Sequence, residues 1–184
     1  MTRLSGSVFY FNILVVTWLA SVCSCLGQTN PEQITEIRKE FQTINADTTL
    51  KKITVENEEF LGDNIGDGGG KLTGFYKKKS IKKIVLWLGL SNGTEIKEYY
   101  FKEDQLIFVY EKFNSFEYDE KKGQMDYNTS TTTFEGRYYF HNQKLIDKTL
   151  KGKNRHDDEV RDPEIFIDQG IEHAKLLNKK YNAS

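Results

Sequence analysis

The chain has 184 residues with 26 basic and 27 acidic side chains, so its formal net charge is −1 at neutral pH. This balance gives no electrostatic footprint for nucleic acid, whose binding domains carry clustered basic residues. The two cysteines, Cys23 and Cys25, both lie in the first 27 residues. The rest of the chain can therefore form neither a disulfide framework nor a cysteine-ligated metal site.

The first 27 residues have the pattern of an export signal. Arg3 is their only charged residue, an apolar stretch runs from Val8 to Leu26, and small residues precede Gln28. A basic start, an apolar middle and small residues at the end are typical of a secretory signal peptide. The sequence therefore predicts a signal peptide over residues 1–27 and a periplasmic or secreted location for the remainder.

The processing of this segment decides whether the protein is soluble or anchored. Cleavage after Gly27 would remove both cysteines and leave a soluble protein, which is the outcome that we favour. The stretch Val22-Cys23-Ser24-Cys25 also resembles a bacterial lipobox, in which Cys25 would be lipidated and the protein would be a membrane-anchored lipoprotein. A third hypothesis keeps the segment as a signal anchor, because its about 19 apolar residues approach the ~20 that span a bilayer.

Residues 28–184 have the length of a single domain. Apolar residues near its start recur at three- and four-residue spacing: Ile34, Ile37, Phe41 and Ile44. This spacing predicts an amphipathic helix over residues 32–45. Residues 50–61 have weak strand character, and the glycine-rich residues 62–70 predict a loop.

From Lys71 onwards, strand-like segments alternate with turn-forming residues such as Ser91-Asn92-Gly93. The predicted strands are 71–77, 81–90, 94–101, 105–116, 132–140 and 144–151. Their short connections predict a β-meander over residues 50–151, with one longer hairpin loop at 119–130. A charged connection over 152–161 leads to Asp162-Pro163, a capping pair that predicts a C-terminal helix over 163–181.

These elements together predict an α+β fold. Its centre is a single curved antiparallel β-meander sheet of six to seven strands. We expect the N-terminal and C-terminal helices to flank this sheet on one face.

An internal repeat supports the meander. Tyr99-Tyr100-Phe101, followed by four polar residues and Leu106-Ile107, is matched 39 residues later by Tyr138-Tyr139-Phe140 and Leu145-Ile146. Each copy has the sequence pattern of a β-hairpin, in which an aromatic strand end precedes a tight polar turn. We expect turns at 102–105 and 141–144. Tyr100 and Tyr139 should then point to the same side of the sheet.

The stretch Phe140-His141-Asn142-Gln143-Lys144-Leu145 resembles the hairpin unit of variant MORN-type repeats, with Gln143 in place of the turn glycine. The layout of signal, helix, aromatic meander and C-terminal helix also resembles small uncharacterised exported proteins of Bacteroidota-type bacteria. This second resemblance covers the whole chain. It implies export and no known activity.

Two acidic stretches were considered as metal sites. Asp63-Asn64-Ile65-Gly66-Asp67-Gly68 resembles a calcium loop, but Ile65 occupies a ligand position and Gly74 stands where a bidentate glutamate is needed. His156-Asp157-Asp158-Glu159 offers possible ligands, yet adjacent side chains point in different directions and their charge suits the following helix N-terminus. We therefore predict no metal and no cofactor.

Three functional classes remain open because no motif specifies a reaction. The first is a non-enzymatic cell-envelope binding module, in which Tyr100, Tyr110 and Tyr139 contact a partner protein or a small apolar ligand. The others are a hydrolase or metal-dependent enzyme with no visible site, and a structural envelope lipoprotein. The strand acids Glu98, Glu111 and Glu135 alternate with apolar residues, so we assign them to the solvent face.

We predict the binding module. For its tyrosines, however, we favour the alternative, which is core packing beneath the two helices. Membrane contact would require the lipid or the N-terminal anchor, and we expect no nucleic-acid partner.

Overall fold

The computed structural model describes residues 31–60, 68–153 and 162–183. The helices are α1 (Pro31–Ala46), α2 (Asn57–Phe60) and α3 (Ile165–Ala183). The strands are β1 (Lys51–Glu56), β2 (Gly70–Lys77), β3 (Ser80–Leu90), β4 (Gly93–Lys102), β5 (Gln105–Asp119), β6 (Gln124–His141) and β7 (Lys144–Gly152). The predicted signal peptide with Cys25, the stretch Asp63 to Asp67 and the stretch His156 to Glu159 lie outside the described residues.

The strands form one antiparallel seven-stranded sheet in the order β1 to β7, so the predicted meander is confirmed. Each strand pairs with the next along the chain, and from β2 to β7 the connections of two to four residues are too short for a crossover. The two predicted helices are also confirmed. In α3 the Asp162 carboxylate accepts the backbone N–H of Glu164, as expected of a residue that caps a helix start.

The two repeated hairpins form as predicted. Glu103-Asp104 and Asn142-Gln143 are two-residue turns with φ between 49° and 61°, the left-handed conformation of a type I′ turn. Tyr100 and Tyr139 each lie opposite Phe108 of β5, so all three side chains share one face. Gln143 therefore adopts the conformation for which the repeat uses glycine.

The predicted hairpin loop at 119–130 is wrong. β5 continues to Asp119 and β6 already begins at Gln124, so the connection is a four-residue turn. This hairpin projects beyond its neighbours, since β4 begins opposite Ser115 and β7 ends opposite Phe134. Both faces of the projecting part meet solvent, which removes the apolar alternation that marks a strand.

The two helices pack on opposite faces of the sheet, so the prediction of one shared face is wrong. Beneath α1 lies a cluster that includes Tyr100, Phe108 and Tyr139. Beneath α3 lies a separate cluster that includes their strand neighbours Tyr99 and Val109. We call these two sides the α1 face and the α3 face.

The repeated aromatic triplets explain why both faces need a cover. All three residues of Tyr99-Tyr100-Phe101 are buried, and so are all three of Tyr138-Tyr139-Phe140. Successive strand residues point to opposite sides, so each triplet places aromatic rings on both faces. A sheet that is apolar on both faces is stable only when other elements of the protein cover both faces. Here α1 covers one face and α3 covers the other.

Candidate functional site

The α1 face carries two neighbouring rows of side chains that run across the strands. The first row contains Tyr100, Phe108 and Tyr139 on β4, β5 and β6. The second row contains Glu98, Tyr110 and Arg137 on the same three strands. Opposed residues in an antiparallel pair lie close enough for direct side-chain contact. The register therefore sets an aromatic row beside a mixed polar row.

A cleft of about 350 Å³ lies between α1 and these rows. The α1 side contributes Ile37, Arg38, Phe41 and Gln42. The sheet side contributes the whole second row together with Phe108 and Tyr139 of the first. The volume is at the lower end of the range of about 300–1,000 Å³ that is typical of small-molecule sites.

Aromatic rings hold the inner wall of the cleft in place. The Phe41 ring lies 4.9 Å from the Tyr100 ring and 5.2 Å from the Phe108 ring, measured between centroids. The Phe108 and Tyr139 rings are 5.0 Å apart. These tilted and edge-to-face contacts are the favoured geometry of aromatic pairs. The inner wall is therefore preformed by Phe41 of the helix and by Phe108 and Tyr139 of the sheet, and the buried Tyr100 ring packs against Phe41 and Phe108.

Two tyrosine hydroxyls beside the cleft donate hydrogen bonds to carboxylates. Tyr100 Oη donates to Glu98 Oε2 and Tyr110 Oη donates to Glu135 Oε1, each over 2.5 Å. Burial, aided by the bond to Glu135, raises the pKa of Tyr110 to about 12, and burial also raises the pKa of Tyr100. The same hydrogen bond lowers the pKa of Glu135. At neutral pH these tyrosines therefore stay protonated, and their hydroxyls remain hydrogen-bonded to the two carboxylates.

Two arginines that line the cleft, one from α1 and one from β6, lie over tyrosine rings of the sheet. The Arg38 guanidinium carbon is 5.5 Å from the Tyr139 ring centroid, and Arg38 Nε donates to Tyr139 Oη over 3.3 Å. The Arg137 guanidinium carbon is 5.2 Å from the Tyr110 ring centroid. Cation–π contacts of this kind hold a guanidinium against a ring without using all of its donors. The cleft thus combines an aromatic wall with two fixed positive charges.

The structure brings together two of the three tyrosines singled out from the sequence. Tyr110 and Tyr139 line the cleft, whereas Tyr100 is fully buried against Phe41 and does not line it. For Tyr100 the arrangement is core packing beneath a helix. Arg38 is not among the site residues predicted from the sequence, because α1 supplies it from 101 positions away from its tyrosine partner. No local pattern signals so distant a pairing.

A second polar cluster lies on the α3 face, where the assignment of Glu111 to the solvent face is wrong. Glu95, Lys97 and Glu111 are all buried. Lys97 Nζ lies 2.6 Å from Glu95 Oε1 and 3.8 Å from Glu111 Oε1, and Tyr138 Oη donates to Glu111 Oε2 over 3.1 Å. Alternation places Glu111 on one face of β5, and the ion pair with Lys97 on β4 and the hydrogen bond from Tyr138 compensate its burial.

His173 of α3 lies near this buried cluster. Its ring meets the Tyr99 ring edge-on at 5.5 Å. Burial, and then the positive charge of Lys97, lower the pKa of His173 to about 4. The imidazole is therefore neutral at physiological pH and packs as part of the core. This cluster has the character of a structural ion-pair network.

Within 31–60, 68–153 and 162–183, no group of three or more histidine, cysteine or acidic side chains is arranged to hold a metal ion. None of the helices in these same ranges is long and apolar enough to cross a membrane. The N-terminal apolar segment lies outside them.

No family model matches the chain, and comparisons with curated proteins and with solved structures find no match. The resemblances to MORN-type hairpins and to exported Bacteroidota-type proteins stay predictions from the sequence.

Proposed function

We propose that this chain is an exported binding module that holds a small ligand with a flat apolar body in the cleft. The observation that supports this function is the preformed aromatic wall, in which Phe108 and Tyr139 lie beside the opening between α1 and the sheet. Ligand sites in proteins are concave, largely apolar and equipped with a few fixed polar groups. The cleft has each of these properties.

The chemistry of the cleft favours binding over catalysis. A nucleophile or general base at neutral pH needs a pKa near the working pH, and both Tyr100 and Tyr110 have pKa values raised away from it. Glu98 is held by Lys83 at 3.0 Å as well as by Tyr100. Glu135 is held by Tyr110, with Arg137 3.5 Å away. These side chains are already held by hydrogen bonds or ion pairs and are not poised for proton transfer.

A variant that fills the cleft tests the proposal. Gln42 lines the cleft from an exposed position on α1, so Gln42→Trp should place an indole in the space without disturbing the core. The fluorescent probe 8-anilinonaphthalene-1-sulfonate has a flat apolar body and should bind the wild-type protein saturably. We expect Gln42→Trp to weaken this binding by about tenfold or more, measured by fluorescence titration, because the space is already occupied.

Lys39→Trp is the matched control. It adds the same indole to the same helix at an exposed residue that does not line the cleft. We expect it to bind the probe like the wild type, and both variants should keep the wild-type melting temperature. Equal probe affinity in Gln42→Trp and wild type would show that the cleft is not the binding site.

A further inference from the structure

We propose that the ligand of the cleft is a small aromatic carboxylate, whose carboxylate is bound between Arg38 and Arg137. This inference rests on the proposed function and adds the chemical class of the ligand. Arg38 extends from α1 and Arg137 from β6, and both line the same cleft. Two guanidinium groups that line one cleft can both donate hydrogen bonds to a planar anion.

The arginines have donors available for such an anion. A guanidinium carries five N–H donors. In Arg38, Nε donates to Tyr139, and none of the ion pairs among the described residues includes this arginine. In the same part of the chain, Arg137 has one ion-pair partner, Glu135, at the long distance of 3.5 Å. Their cation–π contacts fix the two groups before a ligand arrives, which lowers the entropy cost of binding.

The charges around the cleft favour an anion over a cation. Glu98, which lines the cleft, is already engaged by Lys83 and Tyr100, and Glu135 beside Arg137 is engaged by Tyr110. Among the residues that line the cleft, the charged ones are Arg38, Arg137 and Glu98, so two positive groups meet one negative group. A ligand carboxylate would restore neutrality, whereas a ligand cation would add to the excess.

The aromatic wall makes a bare inorganic anion an unfavourable ligand for the cleft. Phe108, Tyr110 and Tyr139 present ring surface to the cleft, and an isolated anion would lose its hydration there without covering that surface. A ring attached to the carboxylate covers the wall by stacking. A space of about 350 Å³ suits one or two fused rings.

Two probes with the same ring system, one carrying a carboxylate and one a neutral hydroxymethyl group, test this inference. Naphthalene-2-carboxylate and the neutral naphthalene-2-methanol share one ring system and are compared by isothermal titration calorimetry at low ionic strength. A hydrogen bond to a charged group contributes about 1.5–3 kcal/mol. We therefore expect the acid to bind roughly tenfold to hundredfold more tightly than the alcohol.

Arginine variants locate the source of this preference. Arg38→Gln and Arg137→Gln should each weaken binding of the acid by about tenfold and leave binding of the alcohol within about twofold. Lys39→Gln removes a positive charge from the exposed side of the same helix and should change neither affinity. This control distinguishes a direct contact between arginine and ligand from the effect of the protein's overall charge on an anionic ligand.

The outcomes distinguish this inference from the function on which it rests. Equal binding of the two probes would overturn the proposal that the ligand is a carboxylate. So would a preference for the acid that survives in the double variant Arg38→Gln/Arg137→Gln. In both cases the cleft would remain a binding site. An absence of saturable binding by either probe would overturn both proposals. Sedimentation detects self-association of the chain. If the wild type self-associates and Gln42→Trp does not, the cleft binds a second copy of the chain, and the proposal of a carboxylate ligand is overturned.

Discussion

Lys97→Met is expected to destabilise the protein by about 3–5 kcal/mol, because breaking a buried ion pair leaves an uncompensated buried charge. Lys97 Nζ lies 2.6 Å from Glu95 Oε1 and 3.8 Å from Glu111 Oε1, and all three residues are buried on the α3 face. Methionine matches the length of the lysine side chain, so the change removes charge and creates little empty space. Urea unfolding measures the loss.

Lys71→Met is the matched control for this prediction. Lys71 pairs with Glu56 at 3.4 Å, but both side chains are more than half exposed. Exposed ion pairs contribute about 0–1 kcal/mol, so we expect a correspondingly small loss of stability. Adding Glu95→Gln to Lys97→Met should restore part of the stability, since it removes one of the stranded charges. Similar losses in Lys71→Met and Lys97→Met would contradict a buried network.

Leu177→Ala should destabilise the protein by about 2–5 kcal/mol, the cost of removing a fully buried leucine side chain. Leu177 of α3 has no exposed surface. It fits against β2 where Gly74 leaves room, since a Cβ at that glycine would come within 3.1 Å of Leu177 Cδ1. The truncated side chain would leave a cavity between α3 and the sheet. Urea unfolding reports the size of the loss.

Ile171→Ala tests the same helix at an exposed position. Ile171 is 41 % exposed, so its truncation should cost no more than about 0.5 kcal/mol. Because α3 and the cleft lie on opposite faces of the sheet, folded Leu177→Ala should also bind the cleft probe with wild-type affinity. Equal losses in the two variants would show that α3 does not pack through Leu177.

Local patterns predicted the elements of this fold better than their arrangement. Turn residues and aromatic strand ends located both repeated hairpins, because these signals act over a few neighbouring residues. The face chosen by each helix could not be predicted in this way. In Tyr99-Tyr100-Phe101 every position is apolar, so alternation does not distinguish an inner side from an outer one.

The candidate site was predictable only in part for the same reason. Tyr110 and Tyr139 were selected as strand aromatics, and both line the cleft. Arg38 meets Tyr139 only when α1 folds over the sheet. The burial of Glu111 depends on the register that sets it opposite Lys97 on the neighbouring strand. Contacts between residues distant in sequence carry no local signal.

The central claim is that a small ligand binds between α1 and the sheet. Chemical-shift mapping by NMR, with naphthalene-2-carboxylate added to the labelled protein, tests it most directly. We predict that the largest shifts occur at Arg38, Tyr110 and Tyr139, with Leu177 on the opposite face unchanged. Largest shifts on the α3 face or in the projecting β5–β6 hairpin, or no shifts at all, would contradict the claim.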